Sequence, residues 1–128
     1  MTNALREFKN TLDNLQFKVE DITSIVIVWQ RSYNEGPNII INSKEGSITL
    51  GDIARLDFEY DNGYGGQELF GTVVFKDGSW LDRGEYDGSE WWDYHRCPSY
   101  DDIIEEISTI GYNDDFKKKL RGETSDDL

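Results

Sequence analysis

One cysteine, one histidine and two prolines in 128 residues remove several kinds of chemistry at the outset. Cys97 alone can form neither an intrachain disulfide nor a cysteine-rich zinc site, and a lone thiol suits a reducing compartment. His95 is the sole imidazole, two positions before Cys97. A Cys–His nucleophile draws its groups from distant segments with a third residue to orient the base, so this pair reads as an ordinary strand end. No glycine-rich phosphate loop precedes a helix. The longest apolar run, Ile25 to Trp29, is far short of the ~20 residues of a membrane helix. Charges at Arg6, Glu7, Lys9 and Asp13 break any signal-peptide core near the N-terminus. The expectation is a soluble chain with no disulfide, targeting segment, metal or cofactor.

Positive charge is also scarce. The net charge is −13, and residues 52–115 carry all of it, with seventeen acids against Arg55, Lys76, Arg83 and Arg96. Such a field repels phosphates, whose affinity comes from Lys and Arg, so direct binding of nucleic acid or anionic membrane is not expected. Its complement is a basic surface, and nucleic-acid-handling proteins have the largest of these. Solubility is the competing use of the same charge.

Aromatic residues are plentiful, with seventeen Phe, Trp and Tyr side chains. One domain over 1–122 with a disordered tail at 123–128 is the expected organisation. Leu5, Phe8, Leu12 and Leu15 have helical spacing behind Thr2 or Asn3 as N-cap. Ile22–Gln30 reads as a strand covered on both sides, and Asn38–Asn42 as another. Ser47–Leu50 is a short segment. Ala54, Leu56, Phe58 and Tyr60 alternate with Arg55, Asp57 and Glu59, the pattern of a half-solvated strand. Glu68–Phe75, Ser79–Glu85 and Ser89–Tyr94 form a meander, joined by Asp77-Gly78 and Asp87-Gly88 as type I′ turns. Ser99 with Asp102 forms a capping box for a helix with an Ile103, Ile104, Ile107 and Ile110 stripe, stopping at Gly111. Asn113-Asp114-Asp115 caps a short last helix whose final turn holds Lys117, Lys118, Lys119 and Arg121 before Gly122, acids first and bases last as suits the dipole. The class is therefore α+β, an antiparallel sheet of five to seven strands with an N-terminal helix and one or two C-terminal helices.

Asp57, Glu59 and Asp61 have the 1-3-5 spacing of a calcium loop, with Glu68 at position 12. Asn62 sits where the sharp turn wants glycine, and Phe58 and Tyr60 make the entering segment a strand. A solvated strand face is the better reading. A glycosidase-like carboxylate pair has no linear signature here, since abundance of acids is not placement.

The densest segment is Trp80 to Pro98. Trp91 and Trp92 are adjacent, so a strand points them to opposite faces and only one can share a given side. An exposed tryptophan near arginine suits an interface hot spot, and Arg83 can stack on a ring. The other reading puts every aromatic in a core.

The run from Asp61 to Pro98, DNGYGGQELFGTVVFKDGSW and then RGEYDGSEWWDYHRCP, resembles small accessory proteins of tailed bacteriophages, a group with no activity to carry over. It spans about a third of the chain. The resemblance implies a phage gene expressed in the host bacterial cytoplasm. Acidic phage accessory proteins often inhibit host or anti-phage machinery, including CRISPR effectors and restriction enzymes, some as DNA mimics; that step is analogy. The expected role is a non-enzymatic inhibitor or modulator of a basic defence protein. Its contact residues are Asp57, Glu59, Asp61, Asp82, Arg83, Glu85, Tyr86, Asp87, Glu90, Trp91, Trp92 and Asp93. The alternatives are a small enzyme with an aromatic-acidic sugar or nucleoside pocket, and a phage structural or assembly protein. The sequence leaves the oligomeric state open.

Overall fold

The computed structural model describes residues 1–32, 34–63, 65–110 and 114–122, the last stretch partly as backbone only. The chain forms two compact units, Met1–Arg96 and the part beginning at Cys97. The first holds β1 (Thr2–Asn3), α1 (Ala4–Leu15), a 3₁₀ turn (Val19–Asp21), β2 (Ile22–Trp29), β3 (Asn38–Lys44), α2 (Leu50–Ala54), β4 (Glu59–Tyr60), β5 (Leu69–Phe75), β6 (Trp80–Tyr86) and β7 (Ser89–His95). The second holds α3 (Tyr100–Ser108) and α4 (Asp114–Arg121). The class is α+β, as expected. Among the described residues no helix is long and apolar enough to cross a membrane.

β3-β2-β5-β6-β7 form a five-stranded antiparallel sheet, and β1 pairs with β4 in a separate ribbon. The register sorts side chains by parity. Ile25, Ile27, Ile41, Leu69, Val73, Phe75, Leu81 and Trp92 point to one side and form the core with Ala4, Phe8 and Leu12 of α1, Ile53 of α2, Leu56 and Tyr60. Phe8 meets Trp92 edge to face, with centroids 5.5 Å apart. Asn3 caps α1 by accepting from the Arg6 N–H at 2.9 Å, and Gln16 ends it in the left-handed region, φ 63°. The opposite side of β2 is open. Ser24 and Val26 are exposed, so the strand expected to be covered on both sides is covered on one.

Two local expectations need correction. The strand read over Ala54–Tyr60 exists only at Glu59–Tyr60; residues 50–54 are helix α2, followed by a turn. Thr49 accepts from the Asp52 N–H at 3.1 Å while Asp52 accepts from the Thr49 N–H at 3.0 Å. This capping box starts the helix one turn before the period-2 run. The Thr49 backbone bond leads the interactions holding the Asp52 carboxyl below its usual range. The Asp77-Gly78 turn is not type I′ either. Only Gly78 has positive φ, and Phe75 accepts from the Gly78 N–H and donates to Ser79, so a type I turn is followed by a glycine bulge. Asp87 (φ 52°) and Gly88 (φ 88°) do form a type I′ pair.

The Ser99–Asp102 box caps α3 as read. Ile104 is buried, whereas Ile103, Ile107 and Ile110 are exposed. The stop at Gly111, the Asn113 cap, the Lys117 and Arg121 side chains and the tail at 123–128 lie outside the described residues.

Gly71 sits at the crossing of β5 with β2, and a Cβ there would stand 2.7 Å from the Val26 carbonyl oxygen. Backbone cannot swing aside as a side chain does. Gly71→Ala is expected to destabilise the protein by about 1–3 kcal/mol in urea denaturation. Gly51→Ala, with only ordinary contact beside it, is expected to be neutral or stabilising because alanine favours the helix.

Candidate protein-binding face and the buried ion cluster behind it

The meander register decides which residues of the aromatic segment meet solvent. Trp80 pairs with His95, Asp82 with Asp93, Gly84 with Trp91 and Tyr86 with Ser89. These lie on the side away from α1, in line with Thr72 of β5 and Val26 of β2. Tyr86 is 77% exposed, Trp91 40% and Phe70 39%. Gly84 makes room for Trp91. A Cβ at Gly84 would come 2.5 Å from the indole nitrogen, so the ring lies against bare backbone. The result is an aromatic surface set among the Asp82 and Asp93 carboxylates.

The side facing α1 is built differently. Arg83 and Glu90 are ion-paired at 2.8 Å, with side chains 2% and 0% exposed, and Glu7 of α1 stands 3.3 Å from the same guanidinium. Glu90 also accepts from the Glu68 and Leu69 N–H groups, at 2.8 and 3.1 Å. Tyr60 donates to Glu7 at 2.7 Å and accepts from Arg83 at 3.0 Å. The guanidinium lies 4.8 Å from the Trp92 ring centre. Burial by itself lowers the Arg83 pKa, but the Glu7 charge and the Glu90 bond outweigh it and hold the group above its usual range. Burial, reinforced by the bond to Glu7, drives the Tyr60 phenol well above its usual value, so it stays a donor. Asn62 closes the cluster, accepting from the Glu90 N–H at 2.8 Å and donating to the Glu90 carbonyl at 2.9 Å.

The twelve expected contact residues therefore separate. Asp82, Tyr86, Trp91 and Asp93 share the open face. Arg83, Glu90 and Trp92 are inside; Trp92 is 8% exposed. The charged pair is buried because Glu90 alternates with Trp92, and Arg83 with Leu81, on the strand face that meets α1. The ring that Arg83 stacks on is thus an interior one. Asp57 and Glu59 are exposed near the β1–β4 ribbon, where Asp57 accepts from Asn3 at 3.0 Å. Asp61 is half-buried. Glu85 accepts from the Gly88 N–H at 3.1 Å and braces the turn that carries Asp87.

Among the described residues Asp57, Glu59, Asp61 and Glu68 are not brought together as a group of donors. Glu68 accepts from the Trp29 indole at 3.1 Å and from the Asp61 N–H at 3.2 Å, one bond to each oxygen. An open cleft of about 430 Å³ beside it is lined by Gln30, Arg31, Gln67 and Phe70 among others. Among the described residues, the group of three metal-type donors within mutual reach is Asp82, Asp93 and His95. Linear spacing did not reveal it, since Asp82 joins the others only through the strand register. No family model, curated protein or solved structure matches the chain.

Proposed function

We propose that this protein is a phage-encoded inhibitor or modulator that binds a basic, nucleic-acid-handling bacterial defence protein through the open face of its sheet. One observation carries the reading: Trp91 and Tyr86 are exposed beside Asp82 and Asp93 on a face that its own helix α1 leaves uncovered. Aromatic rings supply contact area and attract cations over their faces, while carboxylates pair with Lys and Arg. The net charge of −13 supports the same direction, by steering a basic partner to the encounter. No catalytic role is part of the reading.

Capture from bacterial lysate, with Asp82→Lys/Asp93→Lys as the discriminating variant, identifies the partner. Stopped-flow association then tests the electrostatics. The rate constant is expected to fall steeply as salt shortens the Debye length from ~10 Å to ~3 Å. The double charge reversal slows association with much less effect on dissociation. A partner that is acidic, or a rate indifferent to salt, reduces the acidity to a solubility device and sinks the proposal. Duplex DNA competing for the same partner surface identifies a DNA mimic; absence of competition assigns the contact to another surface of that partner.

A further inference from the structure

We propose that Asp82, Asp93 and His95 form a binding site for a divalent transition-metal ion, with zinc the best fit. The His95 Nε2 lies 2.9 Å from the Asp82 Oδ1 and 3.8 Å from the Asp93 Oδ2. All three donor atoms fall within 4.8 Å of one another. Donors about 2.1 Å from a tetrahedral ion stand about 3.4 Å apart, so these separations bracket what zinc needs.

Two features beyond proximity support a metal. The first is the nitrogen donor. Its imidazole stacks on Trp80 at 5.3 Å and 20°, which holds the ring beside the carboxylates. A nitrogen ligand suits zinc, copper or nickel, whereas calcium and magnesium take oxygen. The second is the register. Asp82 and Asp93 are direct cross-strand partners, and like charges in that relation oppose strand pairing. A dication between the carboxylates converts the repulsion into attraction. Three protein donors leave a zinc coordination position open to water or to a donor from another molecule; because the ion takes the same two carboxylates that the proposed partner contact uses, zinc and a partner's Lys and Arg compete for them. The side chains are 37–52% exposed, so that position is accessible.

His95 is the only histidine in the chain, so its imidazole signals are unambiguous. Zinc chloride titrated into the full chain near neutral pH is expected to bind once per chain with micromolar affinity by calorimetry. In the same titration it is expected to shift the His95 Nε2 resonance, with magnesium or calcium in excess making no difference. Loss of an outer partner of a ligand weakens metal binding about 10- to 100-fold. Loss of a donor, in His95→Gln or Asp93→Asn, is therefore expected to weaken zinc at least about tenfold, while Cys97→Ser leaves it unchanged. Asp93 is exposed and His95 half-buried, and superimposable amide spectra verify the fold of both variants. Three results overturn the site: no zinc heat at all, zinc heat undiminished in His95→Gln, or His95 signals that do not respond to zinc.

Discussion

Glu90→Ala is expected to cost about 3–5 kcal/mol in urea denaturation, the range for breaking a buried ion pair by removing one partner. The Glu90 side chain is 0% exposed and accepts three hydrogen bonds, two from backbone and one from Arg83. After substitution, the Glu68 and Leu69 N–H groups lose their acceptor, and Arg83 keeps the neutral Tyr60 hydroxyl and, of its two carboxylates, only the more distant one of Glu7. Arg83 cannot relieve the imbalance by losing its proton, because arginine stays charged in proteins. Its Nε already has no hydrogen-bond partner among the described groups. Arg83→Met in the Glu90→Ala background is expected to cost less than the sum of the two single changes, since the uncompensated charge leaves with it. A loss below about 1 kcal/mol for Glu90→Ala would mean the pair is solvated, and would remove the basis for treating it as interior.

The second large effect separates the neighbouring tryptophans. In the complex with the proposed basic partner, Trp91→Ala is expected to weaken binding by about 2 kcal/mol or more, roughly 30-fold in Kd, through faster dissociation. Its effect on the stability of the free protein is expected to be smaller than that of Trp92→Ala, since Trp91 is 40% exposed and Trp92 8%. Trp92→Ala is the converse. It removes the ring that meets both Phe8 and Arg83, and is expected to destabilise the fold by about 3–5 kcal/mol. Surface plasmon resonance paired with thermal melts reads both quantities. Equal effects of the two substitutions on dissociation, at matched folding, would rule out the open face as the contact surface.

The meander and the terminal helices were legible because their signals are local: helical spacing at Leu5, Phe8 and Leu12, Asp-Gly turns, and the Ser99–Asp102 box. α2 was not, although Thr49 and Asp52 form a capping box visible in the sequence. The alternation of Ala54, Leu56, Phe58 and Tyr60 is satisfied equally by a helix end, a turn and two strand residues, and period 2 alone cannot tell them apart. The candidate face was half legible. Adjacent Trp91 and Trp92 require opposite sides, but which side meets solvent depends on where α1 packs. Glu90 and Arg83 look like surface charges because burial of either alone is prohibitive. Only their pairing across β6 and β7, with Glu7 arriving from α1, makes the interior position tenable. His95 was similarly opaque, since its carboxylate neighbour Asp82 is thirteen residues away in sequence.

The long reach of Glu7 sets an order on folding. Its carboxylate meets Arg83, 76 residues later in the chain, and Phe8 of the same helix packs on Trp92. During synthesis α1 emerges before the meander, so the strand surfaces it covers there are still to be made. A lone twelve-residue helix is marginal in water, so this segment must wait for β5, β6 and β7 to leave the ribosome. The meander, closed by short turns, can assemble by itself early. Docking of α1 is then expected late, closing the ion cluster and excluding water from it. Substitutions at Glu7 and Phe8 are therefore expected to speed unfolding more than they slow folding, read from the two arms of a denaturant chevron.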